Sequence, residues 1–135
     1  MKQILILKEN VGVVKNSNDL FSKIKTLKLD YQNENFLVFY LNCKNKFIGF
    51  DIVAKGIIDS CIISPSVIFR NAIKKNAFRI ITAHNHPSED LTPSYEDIGI
   101  NNKIKECGEL LQIELLDSVI FNKKEFYSIK DRGDL

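Results

Sequence analysis

The segment that most constrains the fold of this chain is residues 78–83, FRIITA, a short and nearly all-apolar run. A strand whose apolar side chains point both ways must be covered on both faces, and helices usually cover it. Segments with strand and helix patterns are interleaved on either side of this run. The sequence therefore predicts an α/β fold, a sandwich in which helices pack on a central mixed sheet.

The first helix and the strands follow from apolar periodicity. Apolar residues between Leu20 and Leu27 fall on one helical face, behind the capping candidates Ser17 and Asn18. The run Phe36–Leu41 is dense in β-formers, and a polar turn separates it from the returning strand. Strands are predicted at residues 3–7, 36–41, 47–53, 57–63, 78–83, 112–121 and 125–130.

Two further helices are indicated by a capping residue followed by proline. Ser64 precedes Pro65, and Thr92 precedes Pro93, and proline is favoured in the first turn of a helix. We expect the first of these helices to run to about residue 77. The second is expected to run to about residue 107 and to end at Gly108.

Composition indicates a single globular domain over residues 1–135. Apolar residues make up 44% and charged residues 27% of the chain, so a core forms without disulfides or a structural metal. The net charge of +2 argues against nucleic-acid binding through this domain alone. Three widely spaced cysteines fit reduced thiols in a cytoplasmic protein. Neither a signal peptide nor a membrane-spanning run is recognisable, so no membrane partner is expected.

The chemistry is concentrated around the only two histidines, His84 and His86, directly after the apolar strand. Side chains at i and i+2 of an extended segment point the same way, so both imidazoles can reach one ion. Ser94 and Asp97 follow at the start of the next predicted helix and share a face. Two imidazole nitrogens and a carboxylate oxygen form a zinc ligand set that leaves one position for water. We predict His84, His86 and Asp97 as zinc ligands, with Ser94 as a hydrogen-bond donor beside the ion.

Cleavage of an amide at such a site also requires a group that passes a proton to the leaving nitrogen, and a glutamate outside the ligand set is the usual one. Glu89, Asp90 and Glu96 lie in or near the loop, but nearness in sequence does not place them at the ion. Glu34 opens the strongest predicted strand, ENFLVFYLN, and a strand end could carry it over the metal. Glu34 is therefore the predicted general base.

Each of these residues also has an interpretation without catalysis. Two exposed histidines in a proline-rich loop need not bind a metal, and Ser94 could simply cap the helix. Glu34 taken alone could be a solvent-facing charge before a strand. The combination of His, His, Ser and Asp at a strand-to-helix junction favours the metal site.

The pattern His-x-His-x(7)-Ser-x(2)-Asp with an upstream Glu resembles the JAMM (MPN+) zinc-isopeptidase signature. The string HNHPS, followed by PS and Asp97, resembles the RadC-like branch of the JAB/MPN family. The segments SPSVIFRNAIKKNAFRIITAHNHPS, LLQIELLDSVIF and YSIKDRG are also similar to that branch. The resemblance covers about residues 30–133.

This resemblance implies a JAB/MPN, cytidine-deaminase-like α/β/α sandwich that holds one zinc ion. By position it implies that His84, His86 and Asp97 are the ligands and that Ser94 supports the tetrahedral intermediate. Glu34 matches the general acid/base. The expected function is a zinc-dependent hydrolase of the metallopeptidase or isopeptidase type, with a peptide or isopeptide as substrate.

The chain also departs from the family pattern. Glu89 stands where the branch usually has glycine, and Ser118 where it usually has histidine. We expect no helix-hairpin-helix module, which precedes this domain in longer relatives, within residues 1–135. The alternative function is a non-catalytic MPN-type binding module in DNA or mobile-element metabolism. A zinc deaminase is disfavoured because the paired cysteines of those sites are lacking. Residues 3–7, at a sheet edge, could pair two copies into a homodimer.

Overall fold

The computed structural model describes residues 12–56 and 63–135, which form three helices and five strands. The helices are α1 (Ser17–Lys25), α2 (Pro65–Lys74) and α3 (Tyr95–Leu111), and the strands are β1 (Glu34–Leu41), β2 (Phe47–Gly56), β3 (Arg79–Asn85), β4 (Glu114–Phe121) and β5 (Phe126–Ser128). The strands predicted at residues 3–7 and 57–62 lie outside the described residues, and Ile63 is not in a strand. Within the described ranges, none of the helices combines the length and apolar character needed to cross a membrane.

All five strands belong to one mixed sheet in the order β2-β1-β3-β4-β5. Strands β3 and β4 are parallel, and α3 connects them. The other neighbouring pairs are antiparallel. A parallel pair needs a long crossover connection, for which a helix is the common solution. The predicted α/β class with a central mixed sheet flanked by helices is confirmed.

Two apolar cores lie on the two faces of the sheet, and β1 contributes to both in alternation. On one face its side chains pack with α2 and α3, and on the other they pack with α1. Strand β3 divides in the same way, with Ile80 in the first core and Ile81 in the second. Burial of each such side chain stabilises the folded state by about 1.5–3 kcal/mol relative to leaving it exposed. The burial on both faces that was predicted for the central strand is therefore observed. Packing on both sides fixes the position of β3 in the sheet.

The N-terminus of α1 differs from the prediction by one or two residues. Asn16 caps this helix, since its side chain accepts a hydrogen bond from the backbone N–H of Asp19 at 3.1 Å. The Asp19 carboxylate in turn accepts from the backbone N–H of Lys15 at 2.8 Å. The assignment of the cap to Ser17 or Asn18 was wrong because adjacent residues all carry capping side chains, and only the bond from the Asp19 N–H to the Asn16 side chain decides between them.

Helix α2 ends at Lys74 instead of near residue 77. Asn76 adopts a left-handed conformation with φ of 55°, and the N–H of Ala77 donates to the carbonyl of Ala72 at 2.9 Å. This left-handed turn after the helix ends it earlier than the apolar pattern indicates. Strand β5 is also shorter than predicted, because a turn follows Ser128.

Candidate metal centre

Strand β3 carries the first histidine into the interior of the protein. His84 pairs with Phe36 on one side and with Ile120 on the other, and it is only 5% exposed. The Phe36 ring stacks on the imidazole, with centroids 5.8 Å apart and an interplanar angle of 11°. The prediction that the strand stops before His84 was wrong, because sheet pairing continues through it to Asn85.

The loop after β3 is braced by hydrogen bonds of its own. The N–H of Glu89 donates to the His86 carbonyl at 2.8 Å, and the N–H of Thr92 donates to the Asp90 carboxylate at 2.9 Å. The side chain of Asn122 ties the loop to the β4–β5 connection by donating to the Glu89 carbonyl at 3.1 Å. Nδ1 of His86 lies 2.7 Å from the carbonyl oxygen of Asp90. The second imidazole is thus fixed in one orientation.

Helix α3 begins with a reciprocal cap that positions the carboxylate of the site. Ser94 is the N-cap, and its hydroxyl accepts from the N–H of Asp97 at 3.1 Å. The Asp97 carboxylate accepts from the N–H of Ser94 at 2.8 Å. The assignment of the cap to Thr92 and of the first turn to Pro93 was wrong, because only Ser94 has a carboxylate three residues ahead to close this box. The helix also continues past Gly108 to Leu111 and ends at Gln112, which is left-handed.

These elements bring three of the predicted residues together. Nε2 of His84 lies 3.1 Å from Oδ1 of Asp97, and Nε2 of His86 lies 3.1 Å from Oδ2 of the same carboxylate. The imidazole centroids are 5.0 Å apart. One ligand atom from each residue lies within 4.8 Å of the other two, so the three side chains could hold a single metal ion.

The contacts inside this cluster shift its titrations. Burial alone would raise the pKa of Asp97, but the contacts with His84 and His86 outweigh burial and hold that pKa far below its ordinary range. The hydrogen bond to Asp97 raises the pKa of His86. Burial acts against that rise, while the Asp90 carbonyl and the negative charge of Glu34 add to it. A carboxylate that stays ionised among imidazoles is the charge arrangement that a cation stabilises.

The donor arrangement fits a metal. Because Nδ1 of His86 faces a carbonyl, it must carry the proton, and Nε2 of the neutral ring then presents a lone pair to Asp97. Two lone pairs 3.1 Å apart repel each other unless a proton or a metal cation lies between them. Neither ring nitrogen of His84 has a hydrogen-bond partner in the described part of the chain, since its Nε2 contact with Asp97 lacks hydrogen-bond geometry. Buried nitrogens without partners are rare unless they bind something.

Glu34 lies on the same face of the sheet as His84. It is the first residue of β1, two residues before Phe36, whose partner in β3 is His84. Residues two apart in a strand share a face, so Glu34 and Phe36 both point to the side of His84. The charge of Glu34 acts on the pKa of His86, although less than the bond to Asp97 does. Glu34 thus lies on the His84 side of the sheet, and it is not one of the three residues that could share a metal ion.

The alternative carboxylates and the departures from the family pattern also have defined places. Glu89 and Asp90 are exposed, and Asp90 meets His86 through its backbone carbonyl. Ser118 is buried in β4, where its hydroxyl accepts from Thr82 at 2.9 Å. Thr82 precedes His84 by two residues on β3, so this hydroxyl pair lies beneath the cluster on the same face.

One structurally important residue was missed by the sequence analysis. Asn85, between the two histidines, is 1% exposed and hydrogen-bonded to the segment that carries Glu34. The sequence signal was its position inside the motif, but its partners are distant in sequence, and periodicity does not reveal them.

Comparison with known proteins points to one family. The model of the RadC-like JAB domain matches residues 14–134. A UPF0758 protein of Clostridium botulinum (strain Eklund 17B / Type B) is 43% identical over 120 residues, which is 89% of this chain and 52% of that protein. A UPF0758 protein of Chlorobium chlorochromatii is 39% identical over 117 residues, 87% of this chain and 53% of that protein. One of Staphylococcus haemolyticus is 42% identical over 117 residues, 87% of this chain and 50% of that protein. The chain thus spans about half the length of these relatives.

Proposed function

The chain belongs to the RadC-like JAB domain family, and on that premise we propose that it is a zinc-dependent hydrolase of the metallopeptidase type. Its substrate is an amide bond in a peptide or isopeptide. The observation that carries the proposal is the convergence of His84, His86 and Asp97 within 4.8 Å of one another. A carboxylate and an unpaired buried imidazole in contact need a cation, and zinc prefers this mixture of nitrogen and oxygen ligands.

In the proposed site the two imidazoles and the Asp97 carboxylate would hold the zinc ion. When bound, zinc polarises a carbonyl and makes water a nucleophile near neutral pH. The ligands are held before any ion arrives, because the sheet fixes His84, the loop carbonyl of Asp90 fixes His86, and the helix cap fixes Asp97. Groups that orient the ligands in this way typically change metal affinity 10–100-fold when they are removed.

Glu34 has the role of proton carrier. Its carboxylate takes a proton from the attacking water and delivers it to the leaving nitrogen, which would otherwise depart as an unstable anion. Support comes from its position at the start of β1, two residues before the partner of His84, and from the effect of its charge on the pKa of His86. General acid–base groups of this kind contribute about 10²–10⁴-fold to the rate.

Ser94 supplies a hydrogen bond to the oxyanion that develops on the substrate carbonyl. Its hydroxyl oxygen accepts from Asp97 N–H, so the hydroxyl proton itself remains free to donate. The side chain is exposed next to the metal ligands, where a substrate can reach it. Removal of one such donor typically costs about 10²–10³-fold in rate.

The chain also fits a reducing compartment. Cys43 and Cys107 are free thiols in the described part of the chain, and we place the protein in the cytoplasm on that ground. The alternative role, a non-catalytic binding module, uses the same fold without the chemistry. It differs in one respect that can be measured, because a binding module has no need of Glu34.

The test combines metal analysis with a panel of peptide and isopeptide substrates. We expect one equivalent of zinc per wild-type chain, turnover that stops with a chelator, and recovery when zinc returns. His84→Ala should lose most of the zinc. Glu34→Gln should keep the zinc and lose turnover by about 10²-fold or more. Stoichiometric zinc in His84→Ala would remove that ligand, and full turnover in Glu34→Gln would remove the proposed base. A zinc-loaded protein that is inactive on the whole panel would favour the binding module.

A further inference from the structure

A buried carboxamide connects the two halves of the proposed site. Asn85 lies between His84 and His86, and because neighbouring residues of a strand face opposite ways, its side chain points away from the metal ligands. Instead it contacts the start of β1, fifty residues earlier in the chain. We propose that Asn85 is a positioning residue that fixes the backbone of Glu34 relative to the histidines.

The contacts of Asn85 lie on both sides of Glu34. Its Oδ1 accepts a hydrogen bond from the backbone N–H of Asn35 at 2.8 Å. Its Nδ2 donates to the backbone carbonyl of Asn33 at 2.9 Å. These two groups belong to the peptide units immediately after and immediately before Glu34. One side chain thus holds both peptide planes that set the direction of the Glu34 side chain.

A carboxamide is the side chain suited to this double contact. It offers a donor and an acceptor at one end, whereas a carboxylate only accepts and an alkyl group does neither. The orientation of the Asn85 amide is fixed by its partners, because Oδ1 also accepts from Nδ2 of Asn35 at 3.1 Å. Asn85 and Asn35 are both 1% exposed, so water does not replace a bond that is lost.

The turn before Glu34 is also held by hydrogen bonds, so the backbone that carries the Glu34 side chain is fixed on both sides. The Asp30 carboxylate accepts from the N–H of Gln32 at 3.0 Å and from the side chain of Asn33 at 2.8 Å. Nδ2 of Asn35 donates to the Asp30 carbonyl at 2.9 Å. Glu34 therefore lies between this turn and the sheet. Asn85 connects both to β3, the strand that carries His84.

The first experiment tests this link without any substrate. Amide hydrogen exchange is followed by NMR in the full chain for wild type, Asn85→Ala and Asn85→Asp. In Asn85→Ala the amide of Asn35 should exchange at least about tenfold faster, because the side-chain oxygen that accepts from it is gone, while that of Phe39 in the middle of β1 should not change beyond the global loss of stability. Asn85→Asp keeps an acceptor, so it should accelerate Asn35 less than Asn85→Ala does.

Thr82→Val is the matched control. It also removes a buried side-chain hydrogen bond from β3, the one to Ser118, but it does not touch the Glu34 segment. It should lower global stability without a selective effect on the Asn35 amide. The positioning role would be overturned if Asn35 exchange is unchanged in Asn85→Ala, or if Thr82→Val accelerates Asn35 exchange equally and selectively. This holds regardless of any result on catalysis.

The catalytic consequence rests on the proposed function and is measured separately. On a peptide or isopeptide substrate that wild type cleaves, Asn85→Ala should lower kcat at least about tenfold with zinc content and KM unchanged, and Thr82→Val should not. Added to Glu34→Gln, Asn85→Ala should have no further effect on kcat. An independent further loss in that double variant would overturn the route through Glu34. If wild type and Glu34→Gln turn over equally, the proposed base fails, while the exchange result for Asn85 still stands.

Discussion

At the scale of single residues, Glu89 adopts a conformation that favours glycine. Its φ is 68°, in the left-handed region, within the loop that joins the two halves of the metal centre. The left-handed conformation costs a residue with a side chain roughly 1–2 kcal/mol, and part of that is offset by the greater chain entropy of glycine in the unfolded state. Glutamate at position 89, where this branch of the family usually has glycine, thus lowers the stability of the folded protein.

We expect Glu89→Gly to raise the free energy of unfolding by about 0.5–1 kcal/mol, measured by urea denaturation. Glu89→Ala is the control, because it removes the carboxylate and keeps the backbone cost. If the alanine variant gains as much stability as the glycine variant, the carboxylate and not the backbone is responsible. The loop hydrogen bonds use the Glu89 N–H and carbonyl, so either variant can retain them.

At the scale of elements, Ser94 has two roles at the start of α3: it caps the helix, and it is the proposed hydrogen-bond donor to the substrate. Ser94→Ala removes the cap acceptor and should cost about 1 kcal/mol of stability. Ser94→Asn restores a cap without a hydroxyl, so it should recover most of that stability but not turnover on a cleaved substrate. Equal turnover in wild type and Ser94→Asn would reduce Ser94 to a helix cap.

Strand β4 supplies a pH-dependent contribution to stability at Asp117. Burial raises the pKa of this carboxyl even though it accepts from Ser128 Oγ at 2.6 Å and from the backbone N–H groups of Ser118 and Lys130. A raised pKa in the folded state stabilises the protein fully below the ordinary value of the group. That stabilisation is lost as the pH rises through the raised value.

Asp117→Asn carries no ionisable group and should not show this loss. Its free energy of unfolding, relative to wild type, should therefore increase as the pH rises from about 4 towards 7, by about 1.4 kcal/mol for each unit of the shift. The amide oxygen can still accept from the two backbone N–H groups. Urea denaturation across this range gives the comparison, and a free energy of unfolding of Asp117→Asn, relative to wild type, that stays constant or decreases as the pH rises contradicts the assigned burial effect.

The elements differ in how far the sequence predicts them, for physical reasons. The strands of the sheet core and the three helices follow from periodicity, because burial on one or two faces leaves a pattern in adjacent residues. Helix ends were less predictable, as Thr92 and Ser94 show, since several neighbouring residues can cap and only a side chain three residues ahead decides. His84, His86 and Asp97 are close in sequence and were predicted as one group. The contacts of Asn85 with Asn33 and Asn35 depend on strand register, which local patterns do not contain.

At the scale of the whole molecule, the site lies where three elements meet at one end of the sheet. Strand β3 ends there with His84 and is followed by His86, the antiparallel strand β1 starts there with Glu34, and α3 presents its N-terminus. The positive end of a helix dipole favours the Asp97 carboxylate in its first turn. Because each proposed ligand is held by packing or by hydrogen bonds, including His86 in the loop after β3, the geometry can exist before the metal binds.

The edge of the sheet formed by β2 is a candidate surface for self-association. Among the described strands β2 is an edge strand, and Ile48, Phe50 and Ile52 alternate along it with exposed fractions of 41%, 38% and 47%. Phe50 also stacks on Phe39, so this apolar row continues the core packed by α1. The carbonyl of Gly12 accepts from the N–H of Phe47 at the start of β2, and beyond that bond an edge strand with apolar side chains is a site where a second copy can add its own strand. The residues 3–7 predicted to form a dimer edge lie outside the described part of the chain.

We expect wild type to self-associate as its concentration rises and Ile52→Lys to do so at least about tenfold more weakly, since a lysine on an edge strand disfavours pairing. Light scattering coupled to size-exclusion chromatography measures the mass over a concentration series. Leu110→Lys is the control, because Leu110 is 85% exposed on α3, away from this edge, and its substitution should leave association unchanged. Both variants should unfold within about 0.5 kcal/mol of wild type, as surface substitutions usually do. Association that persists in Ile52→Lys and falls in Leu110→Lys would move the contact from the sheet edge to the helix.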